Sequence, residues 1–202
     1  MKKRISALIL IATLALGLLG CAVLQAGQRQ LAAKLIRLHV VANSDSDEDQ
    51  AVKLRVRDAV LQAAQPYVTG PDAEEALAEN LGALERAAAK ALRSLGRENA
   101  VSVTLQNEAF PTRAYETFSL PAGVYRTLRV TIGAGAGHNW WCVVFPTLCT
   151  AASLDELETA ATAGGFSEGE VKLITGAEDG YVLKFRILEL LEALKARLRG
   201  QS

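Results

Sequence analysis

The sequence predicts an α+β fold, a single domain behind an N-terminal apolar segment, with helices covering one face of a mainly antiparallel sheet. Three observations predict it. Apolar and polar residues alternate at period two in residues 36–42, 101–105 and 124–132, the pattern of strands with one buried face. Apolar residues recur at helical spacing in residues 52–63 and 77–92. After the two helices the chain switches to strands, and the sum is a sheet with helices on one face.

The first element stands outside that domain. Met1-Lys2-Lys3-Arg4 is basic and Ile5 to Leu19 carries no charge, the n-region and h-region of an export signal. The apolar stretch extends to Leu24, close to the ~20 residues that cross a bilayer, so residues 1–24 read as a signal peptide or a retained membrane anchor. The charges precede the apolar run and place the domain on the far side of the membrane. Leu18-Leu19-Gly20-Cys21 also resembles a lipoprotein cleavage box, although Leu19 is bulkier than that pattern favours, so lipidation of Cys21 is a third fate for the leader. Residues 25–35, polar and alanine-rich, read as a stalk.

The domain then begins with a strand, in which Ile36, Leu38, Val40 and Ala42 alternate with Arg37, His39, Val41 and Asn43. The run Asn43-Ser44-Asp45-Ser46-Asp47-Glu48-Asp49 offers capping oxygens and negative charge, so a helix starts near Ser46 or Asp47. Val52, Val56, Ala59, Val60 and Ala63 form its apolar face, while Asp49, Lys53 and Arg57 form a ladder expected to be solvated. Pro66 and Thr69-Gly70-Pro71-Asp72 end it, and a second helix is expected from Ala73 to Leu95, stopped by Gly96.

Strands follow at Val101 to Leu105, around Tyr115 to Ser119, and at Val124 to Ile132. Gly133-Ala134-Gly135-Ala136-Gly137 makes a turn into the apolar strand Trp140 to Phe145, closed by Pro146. Ser153 caps a helix through Ala163. Val171 to Thr175 and Tyr181 to Ile187 are expected as strands, the second passing into a C-terminal helix near Leu188.

Composition narrows the function. The 22 basic and 22 acidic side chains cancel, which gives nucleic acid no electrostatic footprint and leaves protein or membrane as the partner. Removing the leader leaves about 178 residues, enough for one domain with a substantial core. Cys142 and Cys149 can pair in an oxidising compartment if the chain bends near Pro146; two separately buried thiols are the alternative.

The chemistry-bearing residues are few. The glycine run lacks the spacing of a dinucleotide fingerprint and the Lys-Ser/Thr of a P-loop. His39, His138, Cys142 and Cys149 lack the spacing of a zinc site, and residues 43–49 lack the glycine and distal glutamate of an EF-hand, so no metal and no cofactor is expected. Cys142 with His138 or His39 could form a thiolate-imidazole pair, which defines the alternative reading of a cell-envelope cysteine hydrolase. Trp140 and Trp141 point to opposite faces of a strand, so one can pack while the other meets a partner.

The residues Ile36 to Ser46, Asp49-Gln50 and Lys53 to Val60 together resemble the start of the stage II sporulation protein R family. Leu120-Pro121-Ala122-Gly123, Tyr125 and Leu128-Arg129-Val130 resemble its central segment, continued by Ile132 to Pro146 and Leu148-Cys149; Tyr181, Leu183, Lys184 and Phe185 resemble its closing strand. The resemblance covers roughly residues 30 to 190 in order. It implies that residues 36–200 form a signalling domain, made in the forespore and exported to the intermembrane space, secreted or membrane-tethered. The implied partner is a membrane-embedded aspartic protease of the mother cell, which then matures pro-sigma-E; the domain itself would be no enzyme and would take no small-molecule substrate. Contact with that partner is expected at His39, Asn43 and Asp45 on the strand-to-helix turn, and at Asn139, Trp140 and Trp141.

Overall fold

The computed structural model describes residues 2–70, 72–148, 153–176 and 181–199. Its centre is a mixed four-stranded sheet in the order β2-β5-β1-β6, with β1 (Ile36–Val41), β2 (Val101–Phe110), β5 (Gly123–Ile132) and β6 (Asn139–Phe145). The β2–β5 and β1–β6 pairs are antiparallel and the central β1–β5 pair is parallel. Register places Leu105, Leu128, Leu38 and Cys142 side by side in one row across the sheet.

Helices cover the face that carries this row. α2 (Asp47–Ala64) begins where the acidic run predicts, with Ser46 as its N-cap accepting from the Asp49 amide. It packs with α4 (Leu81–Ser94), whose Leu84, Ala88 and Leu92 recur every four residues and are buried with Val52, Val56 and Val60, with Leu38 and Val40 of β1, and with Leu128 and Val130 of β5. Each such Leu or Val removed from water contributes about 1.5–3 kcal/mol, which holds the helical layer on the sheet. The helix expected over Ala73–Leu95 is broken: α3 (Ala73–Glu79) ends at Asn80, whose amide bonds the Leu77 carbonyl before α4 starts.

The opposite face carries a second core, so β1 is buried on both sides rather than one. Leu31, Ala32 and Leu35, Phe110, Tyr125 and Val143 pack there against α5 (Leu154–Ala163) and α6 (Glu168–Thr175). Lys34 ties the end of α1 (Lys2–Ala33) to Glu170 of α6 at 2.6 Å. Residues 25–33, expected as a stalk, thus continue the α1 helix, with Gln28, Leu31 and Ala32 buried against the domain. Within α1, Ile11–Ala33 is long and apolar enough to cross a membrane.

Four further strand expectations change. β2 runs on past Leu105 to Phe110, which feeds the second core. Tyr115–Phe118 is the turn of a hairpin between β3 (Arg113–Ala114) and β4 (Ser119–Leu120), not a strand. Val171–Thr175 lies in α6, and Tyr181–Ile187 lies in α7 (Tyr181–Arg199). α6 is fixed at its start by a Ser167–Glu170 capping box. The alternation over 181–187 also suits a helix because residues four apart share a helical face, so Tyr181 and Phe185, and Leu183 and Ile187, fall together on either pattern.

Candidate functional site

The six expected contact residues fall into three places. Asn43 and Asp45 belong to the β1–α2 turn, which is fastened to the glycine loop between β5 and β6. Asn43 accepts from the Ala134 amide at 3.0 Å and donates to Asp49 at 2.8 Å. Asp45 accepts from the His138 amide at 2.6 Å and pairs with its Nδ1. The amides of Ala136 and Gly137 donate to the carbonyls of Asn43 and Ala42, so the glycine loop is closed by its own chain. A Cβ on Gly137 would collide with the Ser44 carbonyl oxygen, a backbone atom that cannot swing aside, which is why glycine stands there.

Asp49 and Lys53 of the charged ladder on α2 are drawn into this joint instead of facing solvent. Lys53 is buried, with Nζ donating to the His138 carbonyl at 3.0 Å and to Gln50 Oε1 at 2.5 Å; burial lowers its pKa. Hydrogen bonds from Ser44 and Asn43 hold the Asp49 carboxyl below its usual value. Asp49 and Lys53 lie on the helical stripe next to Val52 and Val56, and that adjacency was the signal that they border the core.

His39, Asn139 and Trp141 meet on the second sheet face. His39 Nδ1 lies 2.7 Å from Glu108 Oε2 and Nε2 lies 2.9 Å from Asn139 Oδ1, while its ring meets Trp141 edge-on at 5.8 Å between centroids. Burial opposes charge on Glu108, but hydrogen bonds from Arg129, His39 and Gln106 outweigh it and lower the pKa. Glu108, Arg129 and Gln106 were not singled out by the sequence, because only the sheet brings β2 and β5 to β1.

Trp140 lies on the other side of β6. The residue is 37% exposed, and the Arg57 guanidinium sits 4.3 Å from its ring centroid. Beside it opens a cleft of about 360 Å³, walled by Leu61 and Arg57 of α2, Trp141, Tyr115, Phe118 and Leu148. Arg113 lies 4.2 Å over the Trp141 ring. β6 is the outer strand of the sheet, so aromatic surface and two guanidinium groups gather along one sheet edge.

Inside the second core lies a residue that periodicity placed on a polar face. Arg37 is fully buried, with its guanidinium 4.0 Å from the Phe110 centroid and 5.1 Å from that of Tyr125, and it donates to the Tyr115 hydroxyl. Nε and Nη1 meet no acceptor. Burial lowers the pKa of Arg37 and pushes Tyr125 up to about 12.

The thiolate-imidazole pair is not assembled. Leu38 faces Cys142 in register while His39 faces Trp141, so His39 and Cys142 belong to opposite faces of the sheet. His138 is turned to Asp45. Cys142 is disulfide-bonded; Cys149, with which the sequence would pair it, lies outside the described residues. Cys21 is a free, half-buried cysteine of α1. Among the described residues no cluster of three His, Cys, Asp or Glu side chains could hold a metal ion.

An apolar helix long enough to cross a membrane leads into an α+β domain whose motif residues join two turns and whose aromatic residues lie along a sheet edge. The family model of stage II sporulation protein R matches residues 32–155, and the chain belongs to that family. Stage II sporulation protein R of Bacillus subtilis strain 168 is 37% identical over 118 residues, which are 56% of this chain and 53% of that protein. The chain therefore spans about half the length of this curated relative. No solved structure matches.

Proposed function

We propose that the chain is an exported sporulation signal that acts by binding, activating a membrane-embedded aspartic protease of the mother cell and so causing pro-sigma-E to be processed. Family membership supports the sporulation role, and the apolar α1 supports export or tethering. The observation that carries the binding mode is Trp140, exposed at the β6 edge beneath Arg57 and beside the aromatic cleft. Large aromatics and arginines that share a pocket are the side chains in which interface energy concentrates. The domain would shift the protease toward its active state by preferring that state, with the hydrolytic chemistry belonging to the partner.

Reconstitution tests this reading. Residues 25–202 are added to membranes carrying the protease and its pro-sigma substrate, with protease competence established independently. Processing that rises with added domain supports direct activation, and processing that stays flat overturns it.

A further inference from the structure

We propose that α7 is an interfacial helix that seats the domain on the same bilayer that α1 enters. α7 lies beyond the residues matched by the family model. It is anchored inward by Phe185 and Leu188, both buried, yet Leu190 and Leu194 are 71% and 55% exposed. Residues four apart share a helical face, and at about 100° per residue Arg186 and Arg197 fall on that same face. Both arginines are exposed, and Arg186 is paired with Glu189 at 3.0 Å. Leucines flanked by long cationic side chains are what a helix presents when it lies at the headgroup boundary, with the guanidinium groups reaching phosphates and the leucines entering the acyl region.

The position of α7 commits the occupant to lipid. A cleft of about 630 Å³ runs between α1 and the last two helices, walled by Val23, Leu24 and Gly27 on one side and Leu173 and Leu188 on the other. Val23 is exposed, whereas Gln28 and Leu31, about one and two turns further on, are buried in the domain. α7 thus stands where the apolar run of α1 leaves the domain. Leu188 faces the cleft and Leu190 and Leu194 turn away from it on the outer side of the same helix, so a bilayer holding α1 would meet α7 on that outer side. Arginines favour an anionic headgroup layer.

The test uses the full chain in vesicles of phosphatidylethanolamine and phosphatidylglycerol, with p-benzoylphenylalanine replacing Leu190 or Leu194 in turn. Irradiation is expected to yield lipid adducts at both positions, as at Leu16 of α1, and none at Leu95 on the end of α4. Adducts at Leu16 without adducts at Leu190 and Leu194 overturn the proposal. A cross-linked dimer through Leu194 overturns it in favour of a second copy of the chain. A second measurement uses Leu190→Glu with Leu194→Glu, two exposed sites, with an unchanged circular dichroism spectrum required of the variant. Loss of the vesicle's protection of Arg197 against trypsin in this variant is the expected result, and cleavage of the parent chain as fast on vesicles as in detergent overturns the seating.

Discussion

The Arg37 guanidinium stacks 4.0 Å from the Phe110 centroid and donates to the Tyr115 hydroxyl, so the tip of the β3–β4 hairpin is latched to the central strand of the sheet. The latch is one hydrogen bond to a cation that has two other donors without acceptors. Such a group is costly once its single partner is lost.

Tyr115→Phe is therefore expected to destabilise the domain by about 1.5–3 kcal/mol, the range for hydrogen bonds to charged groups. Arg37→Met should cost less, because an apolar side chain of similar volume removes the desolvated charge altogether. Urea unfolding of the double variant decides the matter: Tyr115→Phe should be nearly silent once Arg37 is methionine.

Acid should weaken the fold through Glu108. Its folded pKa is lowered, so the unfolded chain binds the proton more readily. The stability it contributes is complete above the ordinary carboxylate pKa and is lost as pH falls through the lower folded value. Asp49 and Glu170 shift the same way. Glu108→Gln should flatten the acid limb of a plot of unfolding midpoint against pH; an unchanged slope would contradict the assignment.

Two glycines should respond to alanine with opposite signs. Gly137→Ala drives a methyl into the Ser44 carbonyl and should destabilise by about 1–3 kcal/mol. Gly169→Ala, inside α6 with open space around it, should stabilise by about 0.5–1 kcal/mol. Thermal denaturation of the pair reads both signs.

Trp140→Ala separates binding from folding. A partly exposed ring carries little of the core, so the stability loss should stay within about 1 kcal/mol. The same change should weaken partner binding at least about tenfold, the mark of an interface hot spot. Titrating the variant into the reconstituted protease membranes measures it, and unaltered potency would move the contact away from the β6 edge.

Cys142→Ser bears on the hydrolase alternative. Signalling that persists in the folded variant is the expected outcome, since His39 lies on the other face of the sheet. Abolished signalling with an intact circular dichroism spectrum would return Cys142, disulfide-bonded in the fold, to consideration.

The sequence by itself determined the elements whose periodicity and caps agree: the apolar leader, the presence of the β1 strand, the Ser46 start of α2, the apolar stripe of α4, and the Ser153 cap of α5. These are local, because an alternating strand or a capped helix is dictated by residues within a few positions of one another. Tertiary structure decided the rest. Arg37 and His39 alternate as exposed residues should, and only the packing of α1, β2 and the hairpin on the second sheet face buries them. The joining of Asp45 to His138 and of His39 to Glu108 spans 93 and 69 residues of sequence, and no local pattern encodes a contact at that separation. Residues 181–187 fit strand and helix equally in isolation; their backbone is helical, continuous with the C-terminal apolar spacing and with Phe185 and Leu188 buried on its inner side. What faces solvent or lipid is a property of the assembled layers, because burial is set by neighbours that the chain brings back from a distance.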